Sequence, residues 1–212
     1  MAGRKKGKNN KDKKIKEKCI YFFLEGNKDC SEHKYIKEYY NQLRELKGKA
    51  INIKFNFIPC GNGSWTNIEK EIKKEKIKEK IKENDEVWCV LDKDRNDLDK
   101  IYKICKGNNY SFIYSNNSFE IWLLFHYENI KVTDCNQKYY ERCLSKKIGK
   151  EYDKCKGIKF SYEEKERAIK KSKRKDNNYD NDEKSFNNRL NTTNFYMILE
   201  KFKEVFYNFD LE

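Results

Sequence analysis

The sequence predicts an α/β protein that has a parallel, doubly wound sheet and a helical extension at its C-terminal side. Over residues 19–127, short apolar runs alternate with segments of helical periodicity, which is the pattern of strands joined by crossover helices. Later segments are highly charged and have helical spacing, near 136–148, 161–175 and 193–207. With 212 residues, the chain is long enough for one such domain with its own core.

The expected organisation has three parts, which are a basic tail at 1–18, an α/β domain at 19–130 and a helical extension at 131–212. The extension includes one stretch, 175–188, that lacks any periodicity. That stretch is predicted to be a flexible loop.

The first half of the domain begins with the continuous apolar run CIYFFL (19–24), which is typical of a strand buried on both faces. A helix is expected next, because Asp29 and Glu32 have the spacing of a capping box and apolar residues recur at helical intervals until Gly48. The segment AINIKFNFI (50–58) alternates apolar and polar residues, which predicts a half-exposed strand near a sheet edge.

The next helix, within 67–83, has an irregular apolar pattern. Ile68 and Ile72 share one face, whereas Ile77 and Ile81 fall on the opposite face at about 100° per residue. This pattern predicts two short helices or one kinked helix.

The second half of the domain contains another buried strand, EVWCVL (86–91), followed by a helix at 98–106 and a short strand at 110–114. The segment from Phe119 to Phe125 is apolar nearly all round, as expected of a buried helix.

The charge of the chain favours a polyanionic partner. Charged residues make up 39% of the sequence and the net charge is +13, for which nucleic acid is the first expectation. The tail at 1–18 holds nine Lys or Arg against two acids, and so contributes +7 of that charge. It has little apolar surface to bury and is predicted to be disordered, either as a solubilising arm or as a phosphate-binding arm.

Cysteine usage and the lengths of the apolar runs predict a reduced, cytoplasmic protein. The eight cysteines form no Cys-x-x-Cys pair and the chain has two histidines, so a zinc site is not expected. No apolar run follows the tail in the manner of a signal peptide, and no run is long enough to span a bilayer. No association with a membrane is therefore expected.

Two of the buried strands end in carboxylates. Glu25 follows the first strand, and Asp92 and Asp94 follow the strand at 86–91. The carboxyl ends of parallel strands meet at one edge of a sheet, and residues two apart in an extended chain point the same way. The three acids are expected to converge on a divalent cation, which is Mg²⁺ for hard oxygen ligands, with Mn²⁺ as an alternative. Glu25 is then placed to act as a general base or acid.

The neighbours of these acids suggest that the site binds phosphate. Gly26 lets the backbone turn sharply beside Glu25 and leaves room for a phosphate group. Lys28, Lys93 and Arg95 bring positive charge next to the acids.

Structural alternatives exist for several of these residues. Aspartates at strand–helix junctions often cap helices, although Asp97 is better placed than Asp92 or Asp94 to cap the helix at 98–106. Glu120 is either an acid stabilised by the dipole at a helix N-terminus or a residue that faces the site. His126 is either a helix-end histidine or a participant in the site.

A strand that ends in Glu-Gly and a later strand that ends in Asp-x-Asp, within a parallel α/β frame, resemble the Toprim pattern. More specifically, VWCVLDKDRND followed by SNNSFEIWLLFHYEN is similar to the RloB-like family of prokaryotic defence proteins. The second stretch carries the similarity through Ser115, Asn116, Phe119, Glu120, Trp122, Leu123, Leu124 and His126. The similarity covers roughly 19–130, with a weaker one at 189–202. Glu32 and Tyr35 match a Glu and an aromatic residue of the family's first motif only if a few residues are inserted before them.

This resemblance implies a Rossmann-like Toprim domain and a Mg²⁺-dependent nuclease. Glu25 would be the general acid or base, and Asp92 and Asp94 the metal ligands. Glu120 and His126 lie in the matched stretch, which makes them candidate catalytic and substrate-binding residues respectively.

Relatives of this kind act in anti-phage abortive infection, some on RNA such as tRNA and some together with an ABC-type ATPase. The resemblance therefore puts RNA before DNA as the substrate. It adds an ATPase to the expected partners, beside self-association into a homo-oligomer.

Two other functions stay open at this point. One is a catalytically inactive Toprim-like subunit that binds nucleic acid or senses a phage protein. The other is a phosphotransferase or nucleotide-binding enzyme that uses the same acidic edge. The lack of a recognisable nucleotide-binding loop in the sequence argues against this function.

Overall fold

The computed structural model describes most of the chain. The described residues are 18–28, 31–47, 53–61, 64–130, 136–181 and 185–207. The predicted basic tail, Asp29 and Gly48 lie outside these ranges, apart from Lys18, which begins the first strand.

The order of elements alternates strands and helices, as predicted. The strands are β1 (Lys18–Leu24), β2 (Ile53–Pro59), β3 (Glu86–Asp92), β4 (Ser111–Asn116) and β5 (Thr192–Thr193). The helices are α1 (Ser31–Lys47), α2 (Trp65–Ile77), α3 (Leu98–Gly107), α4 (Glu120–Phe125), α5 (Gln137–Ile148), α6 (Tyr162–Asn181) and α7 (Tyr196–Tyr207), with a short 3-10 helix at Phe186–Asn188.

The sheet has the strand order β2-β1-β3-β4-β5. The strands β1 to β4 are parallel, and β5 pairs antiparallel with β4 at Ser115 and Thr193. The predicted α/β class, with its parallel sheet and C-terminal helices, is confirmed. The prediction that β2 lies at a sheet edge is also confirmed.

Helices cover both faces of the sheet because the inner strands are apolar on both sides. Phe22 of β1 contacts Phe202 of α7 on one face, with ring centroids 5.5 Å apart. Phe23, the next residue, belongs to a second core that contains Ile68 of α2 and Leu98 of α3. Each fully buried side chain of this size stabilises the fold by about 1.5–3 kcal/mol. The two cores hold the central strands β1 and β3 between layers of helices.

The prediction of two helices or a kinked helix within 67–83 is wrong. A single helix, α2, ends at Ile77, and its isoleucines Ile68 and Ile72 are buried while Ile77 is 82% exposed. The chain then turns through Glu79, whose φ is +53°. That turn brings Ile81 back against the same core, so Ile81 is not part of the helical pattern.

The helical extension packs on the sheet and adds β5 to it. The prediction of a flexible loop over 175–188 is wrong for two parts of that range. The helix α6 continues to Asn181, and a 3-10 helix forms at Phe186–Asn188. The physical reason is anchoring, since the buried carboxylate of Asp176 accepts hydrogen bonds from Tyr114 at 2.7 Å and Tyr196 at 3.2 Å. None of the described helices combines the length and apolar character that a membrane span requires.

Candidate active site

The carboxylates of Glu25 and Asp92 lie at neighbouring strand ends. The strands β1 and β3 pair in parallel, with Leu24 opposite Val90, so that both chains leave the sheet at the same edge. The backbone N–H of Glu25 donates to the carbonyl of Val90 at 2.9 Å, and its Oε2 accepts from the backbone N–H of Asp92 at 2.9 Å. The structure therefore brings these two predicted residues together.

A small cavity opens at this edge, and we call it the acidic cleft. It is lined by Glu25, Glu32, Val90, Leu91, Asp92, Ser115, Phe119 and Phe195. Its volume is about 10 Å³, which is about the space that one water molecule requires. The cleft thus places acids from the end of β1, from α1 and from β3 against an apolar wall.

Asp92, the last residue of β3, lines the cleft and is half-buried. Burial raises the pKa of its carboxyl well above the usual value, and the charges of Glu32, Glu25 and Glu120 raise it further. The backbone N–H of Phe119, which donates to Asp92 Oδ2 at 3.2 Å, acts in the opposite direction. Several carboxylates therefore lie close enough that ionisation of one disfavours ionisation of the others.

Glu25 has a pKa suited to proton exchange near neutrality. Burial raises the pKa of its carboxyl to about 7, against the hydrogen bond from the Asp92 N–H, and the charges of Glu32 and Asp94 add to the rise. A carboxyl with a pKa near the working pH can both accept and release a proton, which general acid–base catalysis requires.

Asp94 lies in the exposed loop after β3, where its φ of +25° is unusual for a residue with a side chain. Its charge contributes to the raised pKa of Glu25, after burial and the charge of Glu32. Within the described ranges, no three or more His, Cys, Asp or Glu side chains form a group arranged to hold a metal ion. The structure joins Glu25 to Asp92 but does not assemble Asp94 with them into a three-ligand set.

Glu120, the first residue of α4, is 1% exposed. Its Oε1 lies 3.2 Å from Lys154 Nζ and accepts a hydrogen bond from the Tyr152 hydroxyl at 3.4 Å. Its Oε2 is buried without a hydrogen-bond partner among the described residues. Its charge also contributes to the raised pKa of Asp92, although Glu120 is not among the residues that line the acidic cleft.

The predicted phosphate-binding residues differ in accessibility. Gly26 has φ +98° and pairs with Gly61 through two backbone hydrogen bonds of 2.8 and 3.0 Å. Lys28 and Arg95 are exposed in the loops that follow β1 and β3. The ammonium group of Lys93 instead donates a hydrogen bond to the carbonyl of Asn187 at 2.7 Å.

His126 lies away from the acidic cleft, within an aromatic core. Its ring stacks on Phe160 with centroids 3.8 Å apart, and its Nε2 is 2.9 Å from the Tyr35 hydroxyl. Burial lowers the pKa of His126 to about 3, so the ring is neutral at ordinary pH. The histidine and Tyr35 of the matched motifs are packing residues in this structure.

Four residues of this region were missed or left in doubt by sequence reasoning. Glu32 had a signal in the sequence, because it lies in the first turn of the helix that follows Glu25. Tyr152 and Lys154 had none, since they come from the segment between α5 and α6. The same holds for Asn187, which lies in the stretch predicted as a loop.

The comparison with protein families extends the similarity beyond the first 130 residues. A family model described as RloB-like protein matches residues 20–202, which run from β1 to α7. No curated protein and no solved structure gave a match to the chain. Since the family match covers most of the sequence, from the strand that precedes Glu25 to α7, the chain belongs to the RloB-like protein family.

Proposed function

We propose that this RloB-like protein is a metal-dependent nuclease that cleaves RNA in preference to DNA. The observation that carries the proposal is the 2.9 Å hydrogen bond that joins Glu25 to Asp92 within the acidic cleft. It brings a carboxyl with a pKa of about 7 next to an acid at the end of the neighbouring strand. The preference for RNA over DNA rests on the family resemblance alone. The proposed role in abortive infection and the ABC-type ATPase partner rest on the same resemblance.

The donor groups of the cleft fit a divalent cation of the Mg²⁺ type. They are carboxylate oxygens, which Mg²⁺ and Mn²⁺ prefer, and the pKa values of Asp92 and Glu25 are raised by burial and, to a smaller extent, by repulsion from neighbouring acids. A cation relieves such repulsion. Asp92 and Asp94 would hold the ion together with Glu25, and a bound Mg²⁺ would polarise a phosphodiester and acidify its water ligand.

In this proposal Glu25 moves the proton. Its carboxylate takes a proton from the attacking nucleophile near neutral pH, and its carboxylic acid returns one to the leaving oxygen. The Asp92 N–H keeps the Glu25 side chain oriented during both transfers.

Positive groups beside the acids support a nucleic-acid substrate. A cavity of about 230 Å³ reaches from Ser31 at the start of α1 to the segment before α6, and its lining includes Lys34, Lys156 and Lys159. Ser31 Oγ is 3.3 Å from Glu32, an acid of the cleft. If the backbone phosphates of a nucleic acid bound these lysines, the nucleic-acid strand would run towards the acids.

A cleavage assay tests the proposal. Purified wild type, Asp92→Asn and Glu25→Gln are incubated with labelled RNA or DNA in Mg²⁺, in Mn²⁺ and in chelator. Each substitution is expected to lower the cleavage rate by about 10²–10⁴-fold. The control is Glu69→Gln, on the surface of α2 and 44% exposed in its side chain. Equal cleavage by wild type and both cleft variants would reject the mechanism.

A second candidate function is the catalytically inactive subunit that binds nucleic acid. The observation in its favour is Lys154, which supplies a positive charge to Glu120 at 3.2 Å and to Glu141 at 3.4 Å. Part of the acidic charge is therefore balanced without a metal ion. This candidate predicts salt-sensitive binding of nucleic acid and no turnover in either metal.

A further inference from the structure

The loop that carries Asp94 is held from the far end of the sequence. Asn187, in the 3-10 helix, bonds to residues on either side of this loop, and we call the four shortest of these hydrogen bonds the Asn187 clamp. They are Lys93 Nζ to the Asn187 carbonyl at 2.7 Å, Leu98 N–H to Asn187 Oδ1 at 2.9 Å, and Asn187 Nδ2 to Asp97 Oδ1 at 2.8 Å and to Asp99 Oδ2 at 2.7 Å.

The clamp uses the full donor capacity of one amide side chain. An asparagine offers two N–H donors and one carbonyl acceptor. Here both donors meet carboxylates and the acceptor meets the first backbone N–H of α3. An aspartate at position 187 would face two carboxylates, and an alanine would leave all three groups without this partner. The arrangement is therefore specific for asparagine.

The 3-10 helix has anchors that do not depend on the Asn187 side chain. The N–H of Phe186 donates to Asp99 at 2.7 Å, and its carbonyl accepts from Asn116 Nδ2 at 3.0 Å. Its ring packs on Tyr102 with centroids 4.7 Å apart, and the Arg189 guanidinium lies 4.2 Å from the ring centroid. Removing the Asn187 amide should leave this helix in place.

The clamp spans a loop whose middle is strained. Asp94 has φ +25°, and a residue with a side chain keeps such a conformation only where the surroundings impose it. Lys93 holds one end of the loop to Asn187, and Asp97 holds the other. Inside the loop, Asn96 donates to the Asp92 carbonyl at 2.8 Å, which connects the clamped end to the acidic cleft.

We propose that Asn187 is a positioning residue, which holds loop 93–97 so that Asp92 and Asp94 can bind one divalent cation. The inference rests on the proposed function, and it assigns to the C-terminal segment a part in building the metal site. Residues that orient metal ligands in this way commonly contribute about 10–100-fold to metal affinity.

The test measures Mn²⁺ binding to the full chain by isothermal titration calorimetry, without any nucleic acid. Asn187→Ala is expected to raise the Kd for Mn²⁺ by about 10–100-fold, and Asn187→Asp by at least as much. The matched control is Asn188→Ala, an exposed neighbour in the same 3-10 helix, whose Kd should equal that of wild type. Circular dichroism establishes that each variant is folded.

The outcomes separate the two proposals. Equal Kd values in wild type and Asn187→Ala would overturn the positioning role while the nuclease proposal stands. A wild-type chain that binds no Mn²⁺ and cleaves nothing would overturn both. If Asn187→Ala does not fold, Lys93→Met removes one hydrogen bond of the clamp and keeps the aliphatic part of the side chain. An unchanged Mn²⁺ affinity in that variant would then reject the inference.

Discussion

The carboxylate of Glu25 accepts a hydrogen bond from the backbone N–H of Asp92 at 2.9 Å, across 67 positions of sequence. The contact forms where β1 and β3 leave the sheet side by side. It orients Glu25 but does not compensate its burial, since the pKa of the carboxyl is still raised to about 7. The acidic cleft therefore stores unfavourable electrostatic energy, as functional sites commonly do.

The first prediction concerns the stability of the cleft without metal. Because the folded pKa of Glu25 is about 7 against 4.5 for the free side chain, folding takes up a proton in this window. The stability linked to Glu25 is present below pH 4.5 and is lost as the pH rises through 7. At pH 8 in chelator, Glu25→Gln should raise the free energy of unfolding by about 1–3 kcal/mol.

Urea unfolding at pH 5 and pH 8 measures this effect. The difference between Glu25→Gln and wild type should be larger at pH 8, and Glu69→Gln should show no such dependence. A Gln variant less stable than wild type at pH 8 would contradict the prediction.

The second prediction concerns metal as a stabilising ligand. A cation that binds the folded chain at 100 times its Kd stabilises it by about 2.7 kcal/mol. Mg²⁺ or Mn²⁺ should therefore raise the melting temperature of wild type, and Asp92→Asn and Asp94→Asn should lose this shift. Differential scanning calorimetry with and without metal measures it, and an undiminished shift in both variants would place the metal elsewhere.

The third prediction concerns the lysines beside the cleft. Lys156 and Lys159 line one cavity and are expected to contact backbone phosphates. The double change of both to Gln should weaken nucleic-acid binding and reduce the slope of log K against log salt by about 1.5–2. A matched double change, Lys70→Gln with Lys73→Gln on α2, controls for net charge. Identical salt slopes in the two double variants would argue against this path.

The fourth prediction concerns His126 and acid stability. Its folded pKa of about 3 lies below the ordinary 6.5, so protons bind the unfolded chain preferentially between these values. Through this one residue, each pH unit between 6.5 and 3 should lower the free energy of unfolding by about 1.4 kcal/mol. His126→Gln removes this contribution while keeping a polar group towards Tyr35. Parallel stability curves of wild type and variant between pH 6.5 and 4 would refute the assignment.

The fifth prediction tests whether the C-terminal helices are integral to the fold. The Asp176 carboxylate bonds to Tyr114 of β4 and to Tyr196 of α7, and lies 3.5 Å from buried Arg189. Asp176→Ala should lower the free energy of unfolding by about 3–5 kcal/mol, because it removes the charge that compensates Arg189. Exposed Glu163→Ala on the same helix is the control. A change in Asp176→Ala no larger than in the control would mark the extension as an independent appendage.

The frame of the protein and the pairing of Glu25 with Asp92 follow from the pattern of residues along the chain. Continuous apolar runs identify β1 and β3 as inner strands, and parallel strands necessarily share a carboxyl edge. That rule brings Glu25 to Asp92 without any knowledge of side-chain packing. The stretch from Ser115 to His126 likewise indicates the RloB-like family, because a long pattern of identities is specific.

The residues that surround those acids are known only from the packing of distant segments. Hydropathy did not show that α2 stops at Ile77, that His126 faces an aromatic core, or that Lys154 reaches Glu120. Lys93 and Asn187 bond across 94 positions, and no local periodicity records such a pairing. Periodicity reports only on near neighbours in the chain, whereas these contacts depend on how α6, the 3-10 helix and α7 pack around the finished sheet.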